Sequence, residues 1–230
     1  LVVSVIFSLI VKYYGLKNDS YAYTILSYTL SPFSTVIMTV IFITCLKLNV
    51  KQSLKIKNAK VRYYLLALLA LVGCYMGLSN INGYFNEFIQ EVSGKEPQIP
   101  RILPFSPLNY CLTVLTVCIL PSIAEEAAFR GMIVSGLDDY NPIISAAITG
   151  FAFSLFHMNP AQTPYQFVTG FAFALLSICS GSVYPTIIVH FLNNFITINL
   201  YYFGVGFSVP QSVSIIMTII GVMAFIAFVI

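Results

Sequence analysis

Charge is scarce in this sequence: of 230 residues, 8% are Asp, Glu, Lys or Arg, against 58% that are hydrophobic. Soluble domains carry about 25% charged residues. A sizeable water-soluble domain is therefore excluded, and an integral membrane protein is implied. Histidine is scarcer still, with two in the chain. The five cysteines (Cys45, Cys74, Cys111, Cys118 and Cys179) all lie in apolar runs, and none forms a CxxC pair. That spacing removes the common zinc and dithiol signatures and leaves them as small buried hydrophobes. Cys111 and Cys118, two turns apart on one helix face, read as structural. There is no internal repeat, low-complexity tract or glycine-rich phosphate loop, so solenoids, linkers and nucleotide-binding loops drop out as well.

What is present is one apolar run after another. A bilayer core about 30 Å thick takes about 20 apolar residues per helix. Candidate spans fall at about Leu1 to Tyr14, Tyr21 to Leu46, Tyr63 to Ile81, Leu108 to Val134, Pro142 to His157, Pro164 to Gly181, Tyr184 to Phe203 and Gln211 to Ile230. The expected fold is all-α, a polytopic membrane protein of about eight transmembrane helices forming a single integral membrane domain over residues 1–230. The chain opens with Leu, and Leu1 to Ile10 has neither a basic leader nor a clear small-x-small site, which argues against a cleaved signal peptide.

Six of the eleven Lys and Arg residues (Lys47, Lys51, Lys55, Lys57, Lys60 and Arg62) share one loop between the second and third spans. By the positive-inside rule that loop is cytoplasmic. Both termini then lie in the cytoplasm, and Asn82 to Ser106 forms an outer loop. A basic loop can also mark nucleic acid or anionic lipid binding, but topology alone accounts for it. The partners expected are membrane lipid and a peptide or protein substrate, with no nucleic acid.

Ionisable groups at membrane depth are costly, so each asks for a partner or a purpose. Lys12, near a span end, can snorkel. The rest are Glu125, Glu126 and Arg130 in the fourth span, His157 in the fifth and His190 in the seventh. Three pairs stand four residues apart, one turn on a helix face: Glu126 with Arg130, Phe153 with His157, and His190 with Asn194. An ion pair between Glu126 and Arg130 neutralises both. Glu125, about 100° further around the helix, is left facing elsewhere and free for chemistry. Phe153 reads equally as core filler or as a wall under the imidazole. Asn193 points away from the His190 and Asn194 face.

A carboxylate beside a neutral imidazole can hold and deprotonate a water, and a convergent donor pair can stabilise a tetrahedral oxyanion. Glu125, His157 and His190 could alternatively hold a zinc ion with one open position. Both routes lead to hydrolysis of an amide bond. One expectation sits awkwardly with a shared site. If the helices start at one plane, Glu125 lies about 15 Å deep, His190 about 10 Å and His157 about 22 Å, at 1.5 Å per residue.

The three segments together resemble the CPBP family, the CAAX protease and bacteriocin-processing (ABI) intramembrane endopeptidases. Its pattern of EExxxR, FxxxH and HxxxN on successive helices is matched in order by Glu125-Glu126 to Arg130, Phe153 to His157 and His190 to Asn194. The core carrying the motifs runs over residues 108–200. The resemblance implies a cavity open to the cytoplasmic side and to lipid. It makes Glu125 the general base on a water shared with His157, His190 and Asn194 the oxyanion hole, and Glu126, Arg130 and Phe153 supporting residues. The cofactor is either Zn2+ or none, since the family is described both as metalloproteases and as glutamate-type proteases. The substrate is a CAAX-type C-terminus or a leader, pheromone or bacteriocin peptide. The Lys-, Ile- and Tyr-rich composition leans toward a bacterial cell membrane. Two other classes use the same residues: a non-catalytic interaction or bacteriocin self-immunity protein, and a proton-relay transporter. Paired broken helices, which would favour transport, are missing.

Overall fold

The computed structural model describes residues 2–17, 20–94, 102–204 and 211–229. These are helical, with no strand among them. The helices are α1 (Val2–Tyr14), α2 (Tyr21–Cys45), α3 (Val61–Ser93), α4 (Pro107–Ile133), α5 (Pro142–Phe156), α6 (Thr163–Ser180), α7 (Tyr184–Phe203) and α8 (Gln211–Val229), with a single turn at Val50–Ser53 between α2 and α3. Each overlaps one of the apolar runs. Three segments are both long and apolar enough to cross a membrane: α2, the Val61–Leu78 part of α3, and α4. α5 and the Ser212–Phe228 part of α8 are apolar but shorter.

The ends of these helices follow local chemistry. Ser20, Asn49, Ser106 and Asn141 each accept a backbone N–H from the first turn they precede, satisfying donors the helix cannot. Proline opens α4 and α5, where its missing N–H is not needed. Gly94 and Gly181 close α3 and α6 with φ of 65° and 64°, a conformation that costs glycine least.

One expectation is corrected here. Residues after Ile81 were read as an outer loop, yet α3 continues to Ser93. The polar residues Asn82, Asn86, Glu87 and Gln90 look like a break in hydropathy, but none is a helix breaker, and Gly83 alone does not stop the helix. The remainder of that expected loop, 95–101, lies outside the described residues.

Helix α4 is a continuous rod with two wide stretches, Val114–Ile119 and Ala127–Ile133, whose backbone bonds run i to i+5. They flank the turn holding Pro121, Glu125 and Glu126. Such widened turns are often found at functional sites.

Small residues set the helix spacing. A Cβ on Gly150 of α5 would lie 2.7 Å from the backbone nitrogen of Phe171, and one on Gly170 of α6 would lie 2.9 Å from the Gly150 Cα, so α5 and α6 cross in backbone contact. α8 approaches α3 in the same way at Gly77 and Gly221. Between these pairs lies the main core: Ala67, Ala70, Leu71 and Cys74 of α3, Ala172 to Leu176 of α6, and Val189 of α7. The large exposed side chains, such as Phe33 and Ile37 of α2, Ile144 and Ile148 of α5 and Ile215 and Ile219 of α8, form the apolar exterior that lipid requires.

The connections gather at two ends. At one, Lys55 pairs with Asp138 at 2.9 Å, the Val183 N–H donates to the Lys55 carbonyl, and the Ser182 hydroxyl donates to the Lys57 carbonyl. The basic loop, the α4–α5 turn and the α6–α7 turn therefore meet there. At the other end, Tyr202 donates to the Leu103 carbonyl and Tyr21 to the Asn109 side chain.

Candidate active site

The unusual fourth helix places its two carboxylates in different surroundings. Glu126 is completely buried, and its Oε1 accepts hydrogen bonds from Arg130 Nη1 and from His190 Nδ1, both at 2.8 Å. Arg130 is equally buried. Its second amino group reaches the Gly170 carbonyl at 3.4 Å, and its guanidinium carbon sits 4.1 Å from the Phe153 ring centroid and 5.5 Å from that of Phe173. The cation thus gains a carboxylate, a carbonyl and aromatic faces in place of water. The Glu126–Arg130 ion pair read from the four-residue spacing is present. Its link to His190 was not read, because spacing within one helix says nothing about which other helix faces it.

Glu125 turns the other way. With Phe153, His157, His190 and Asn194 it lines a cavity of about 260 Å³. Its Oε2 lies 4.0 Å from His190 Nε2 and has no hydrogen-bond partner among the described residues. The different depths along their helices do not keep these groups apart, since Glu125, His157 and His190 all line this one cavity. His157 is the residue that ends α5, so it stands at the tip of a short hairpin instead of within a full span. Met158 then turns with φ of 48°, and the chain enters α6.

Hydrogen bonds settle the proton positions on both rings. His157 Nδ1 meets the Phe153 carbonyl at 2.9 Å, and a carbonyl only accepts, so Nδ1 carries the proton and Nε2 keeps its lone pair. His190 Nδ1 likewise donates to the Glu126 carboxylate, leaving Nε2 toward Glu125. Phe153 holds both rings edge-on, with centroids 4.6 Å from His157 and 6.0 Å from His190. It is a wall of the site as well as part of a small core with Ala128 and Phe129.

Asn194 donates one amide hydrogen to the Val117 carbonyl at 3.0 Å, on the first widened stretch of α4, and accepts from Asn193 at 3.3 Å. Its amide is fixed with its second N–H uncommitted. Asn193 does not point away as expected: it lines the same cavity, and its side-chain oxygen accepts from Tyr165 at 2.7 Å. Sequence reasoning also passed over Tyr165, Gln166, Ser27 and Ser31, all at or near this cavity. Polar residues in apolar helices were the available signal for the last three.

The fit of a zinc ion can be judged from the donors. Among the described residues no three His, Cys, Asp or Glu side chains stand close enough to hold one ion. Glu125, His157 and His190 share a cavity but do not form such a group.

A helical membrane domain with an unpartnered carboxylate facing imidazole and amide groups in one cavity has the make-up of a water-activating hydrolase. Residues 107–196 match the family described as Rce1-like, the type II CAAX prenyl endopeptidases. That match spans 90 of the 230 residues and agrees with the CPBP resemblance carried by the three motifs. No curated protein and no solved structure matches the chain.

Proposed function

We propose that this chain is an intramembrane endopeptidase that hydrolyses a peptide bond in a membrane-associated peptide or protein, of the CAAX C-terminal or leader and pheromone type, in a bacterial cell membrane. The observation that carries it is the shared cavity of Glu125, His157, His190 and Asn194, with one Glu125 oxygen unpartnered.

A water placed about 2.8 Å from each group, an ordinary hydrogen-bond length, bridges the 4.0 Å between Glu125 Oε2 and His190 Nε2. His157, with Nε2 as an acceptor in the same cavity, is the third group able to orient it. Glu125 takes one proton from this water as the oxygen attacks the scissile carbonyl carbon. The resulting oxyanion meets the second N–H of Asn194, whose first is held by the Val117 carbonyl. The C–N bond then breaks, and Glu125 returns its proton to the departing nitrogen, leaving a carboxylic acid end and an amine end. Glu126 and Arg130 do not touch the reacting atoms. They fix the His190 ring and hold Phe153 between the histidines.

The test is a comparison of peptides released by membranes containing the wild-type chain or Glu125→Gln at equal protein level. New termini that vanish in the variant support the reading. Termini that persist overturn it, and a phenotype such as immunity that survives the substitution assigns the chain to the non-catalytic class.

A further inference from the structure

Asn194 can serve an oxyanion only if its amide presents nitrogen to the cavity. Nothing within the residue fixes that sense, because turning the amide over exchanges Nδ2 and Oδ1 with almost no change of shape. In the wrong sense it offers a lone pair to a developing negative charge. The sense must therefore come from its neighbours, and three hydrogen bonds supply it, their direction forced from one end. A backbone carbonyl only accepts, so the 3.0 Å bond to Val117 puts Asn194 Nδ2 on the α4 side. Asn194 Oδ1 then faces Asn193, which must present Nδ2 to it, at 3.3 Å. That turns Asn193 Oδ1 toward Tyr165, whose phenol must donate, at 2.7 Å. No amide in this chain can turn over alone without setting two donors or two acceptors face to face.

The carbonyl at the end of the chain is open because of the sequence of α4. In an α-helix the Val117 carbonyl accepts from the N–H four residues on. That residue is Pro121, which has no N–H to give. Val117 also lies in the widened stretch Val114–Ile119, where the ordinary ladder is already broken. A carbonyl that has lost its α-helical donor is free to take one from a neighbouring helix, and Asn194 of α7 provides it. Tyr165, at the other end of the chain, stands on α6, so the three bonds tie α6, α7 and α4 together through the one amide that faces the reaction.

We infer that Tyr165 and Asn193 are positioning residues that hold the Asn194 amide with its second N–H toward the reacting carbonyl, and that Pro121 frees the carbonyl on which this chain of bonds ends. The effect on turnover rests on the protease reading, whereas the orientation of the amide does not.

The test reads the full chain in lipid nanodiscs in two ways. The first is the side-chain amide spectrum of the chain labelled with ¹⁵N-asparagine, in which the Asn194 pair is the one lost in Asn194→Asp. The carbonyl-bound hydrogen of Asn194 is expected downfield. Tyr165→Phe, which removes one hydroxyl and keeps the ring, is expected to move it upfield, as are Asn193→Leu and Pro121→Ala, the last by returning an N–H that competes for the Val117 carbonyl. The second is the kinetics of a synthetic peptide carrying a bond that the wild type cuts and Glu125→Gln does not. Tyr165→Phe is expected to lower kcat by up to about tenfold, as the loss of one ordinary hydrogen bond would, with KM unchanged. Asn193→Leu is expected to lower it by about 10²- to 10³-fold, the usual effect of losing an oxyanion donor. An Asn194 resonance that stays in place in Tyr165→Phe overturns the orienting chain, and one that stays in place in Pro121→Ala overturns the part given to the proline. A resonance that moves while kcat holds, or a rise in KM with kcat unchanged, overturns the role in turnover. Failure of the protease reading appears separately, as peptide termini that do not differ between the wild type and Glu125→Gln, with the spectrum still reporting the amide.

Discussion

Glu125 and Glu126 are neighbours in the chain, yet one forms the lip of a cavity and the other the centre of a plug. Toward the basic loop, Glu126 Oε1 is shared by Arg130 and His190 in a fully packed region, while Glu126 Oε2 and Arg130 Nε have no hydrogen-bond partner among the described residues. Away from it, Glu125 looks into space shared with amides and hydroxyls, so its own oxygen without a partner among the described residues faces a cavity where that of Glu126 faces packed side chains. The difference teaches that a doubled carboxylate inside a membrane helix can serve two ends. One charge is neutralised to build a rigid floor, and the other stays available above it.

The largest expected effect comes from removing the available charge. Glu125→Gln keeps the shape and loses the base, so peptide release should fall by about 10²- to 10⁴-fold, the usual contribution of general acid–base catalysis, with thermal stability unchanged. If stability falls and activity per folded molecule survives, the two carboxylates do not differ as described.

Breaking the plug should act in the opposite sense. Arg130→Met leaves Glu126 buried with His190 alone, and stranding a buried charge costs about 3–5 kcal/mol. Cys74 and Cys118 are fully buried, so with the exposed Cys45, Cys111 and Cys179 changed to Ser their reactivity with a thiol dye on heating reports the loss. A melting temperature equal to the wild type would show that the plug does not depend on the pair.

Gly150→Ala tests the scaffold behind both. The added methyl would meet the Phe171 backbone at 2.7 Å, and overpacking of this kind costs about 1–3 kcal/mol, read by the same melt. The smallest effect belongs to Asp138→Ala. Asp138 is 55% exposed, and exposed ion pairs are worth about 0–1 kcal/mol, so melting should barely move.

The helices were legible because each overlaps an apolar run, three of them long enough to cross a membrane among the described residues. Most boundaries were legible too, since Ser20, Ser106, Asn141 and Gly181 are start and stop signals in the sequence itself. The end of α3 was not, because polar residues past Ile81 lower hydropathy without breaking a helix. Within the site, one-turn spacing revealed the Glu126–Arg130 pair and placed Phe153 beside His157, where the two rings meet edge-on. What it could not reveal were contacts between helices. The Glu126 bond to His190, the Val117 carbonyl that orients Asn194, and the inward turn of Asn193 depend on how rods cross, and the glycines that set those crossings read as ordinary small residues. The widened stretches of α4 were invisible for a related reason: no residue type marks an i to i+5 bond.

The hairpin that ends at His157 bears on the surrounding lipid as well as on the site. At 1.5 Å per residue, the 15 residues of α5 reach about 22 Å, against a hydrocarbon layer of about 30 Å. Its outer face is Ile144, Ile148, Phe151 and Leu155, so acyl chains must meet it, and a mismatch of this sign is relieved by local thinning. The bilayer is then shallower at this flank than elsewhere, and a group held at mid-depth in free lipid lies nearer to water beside α5.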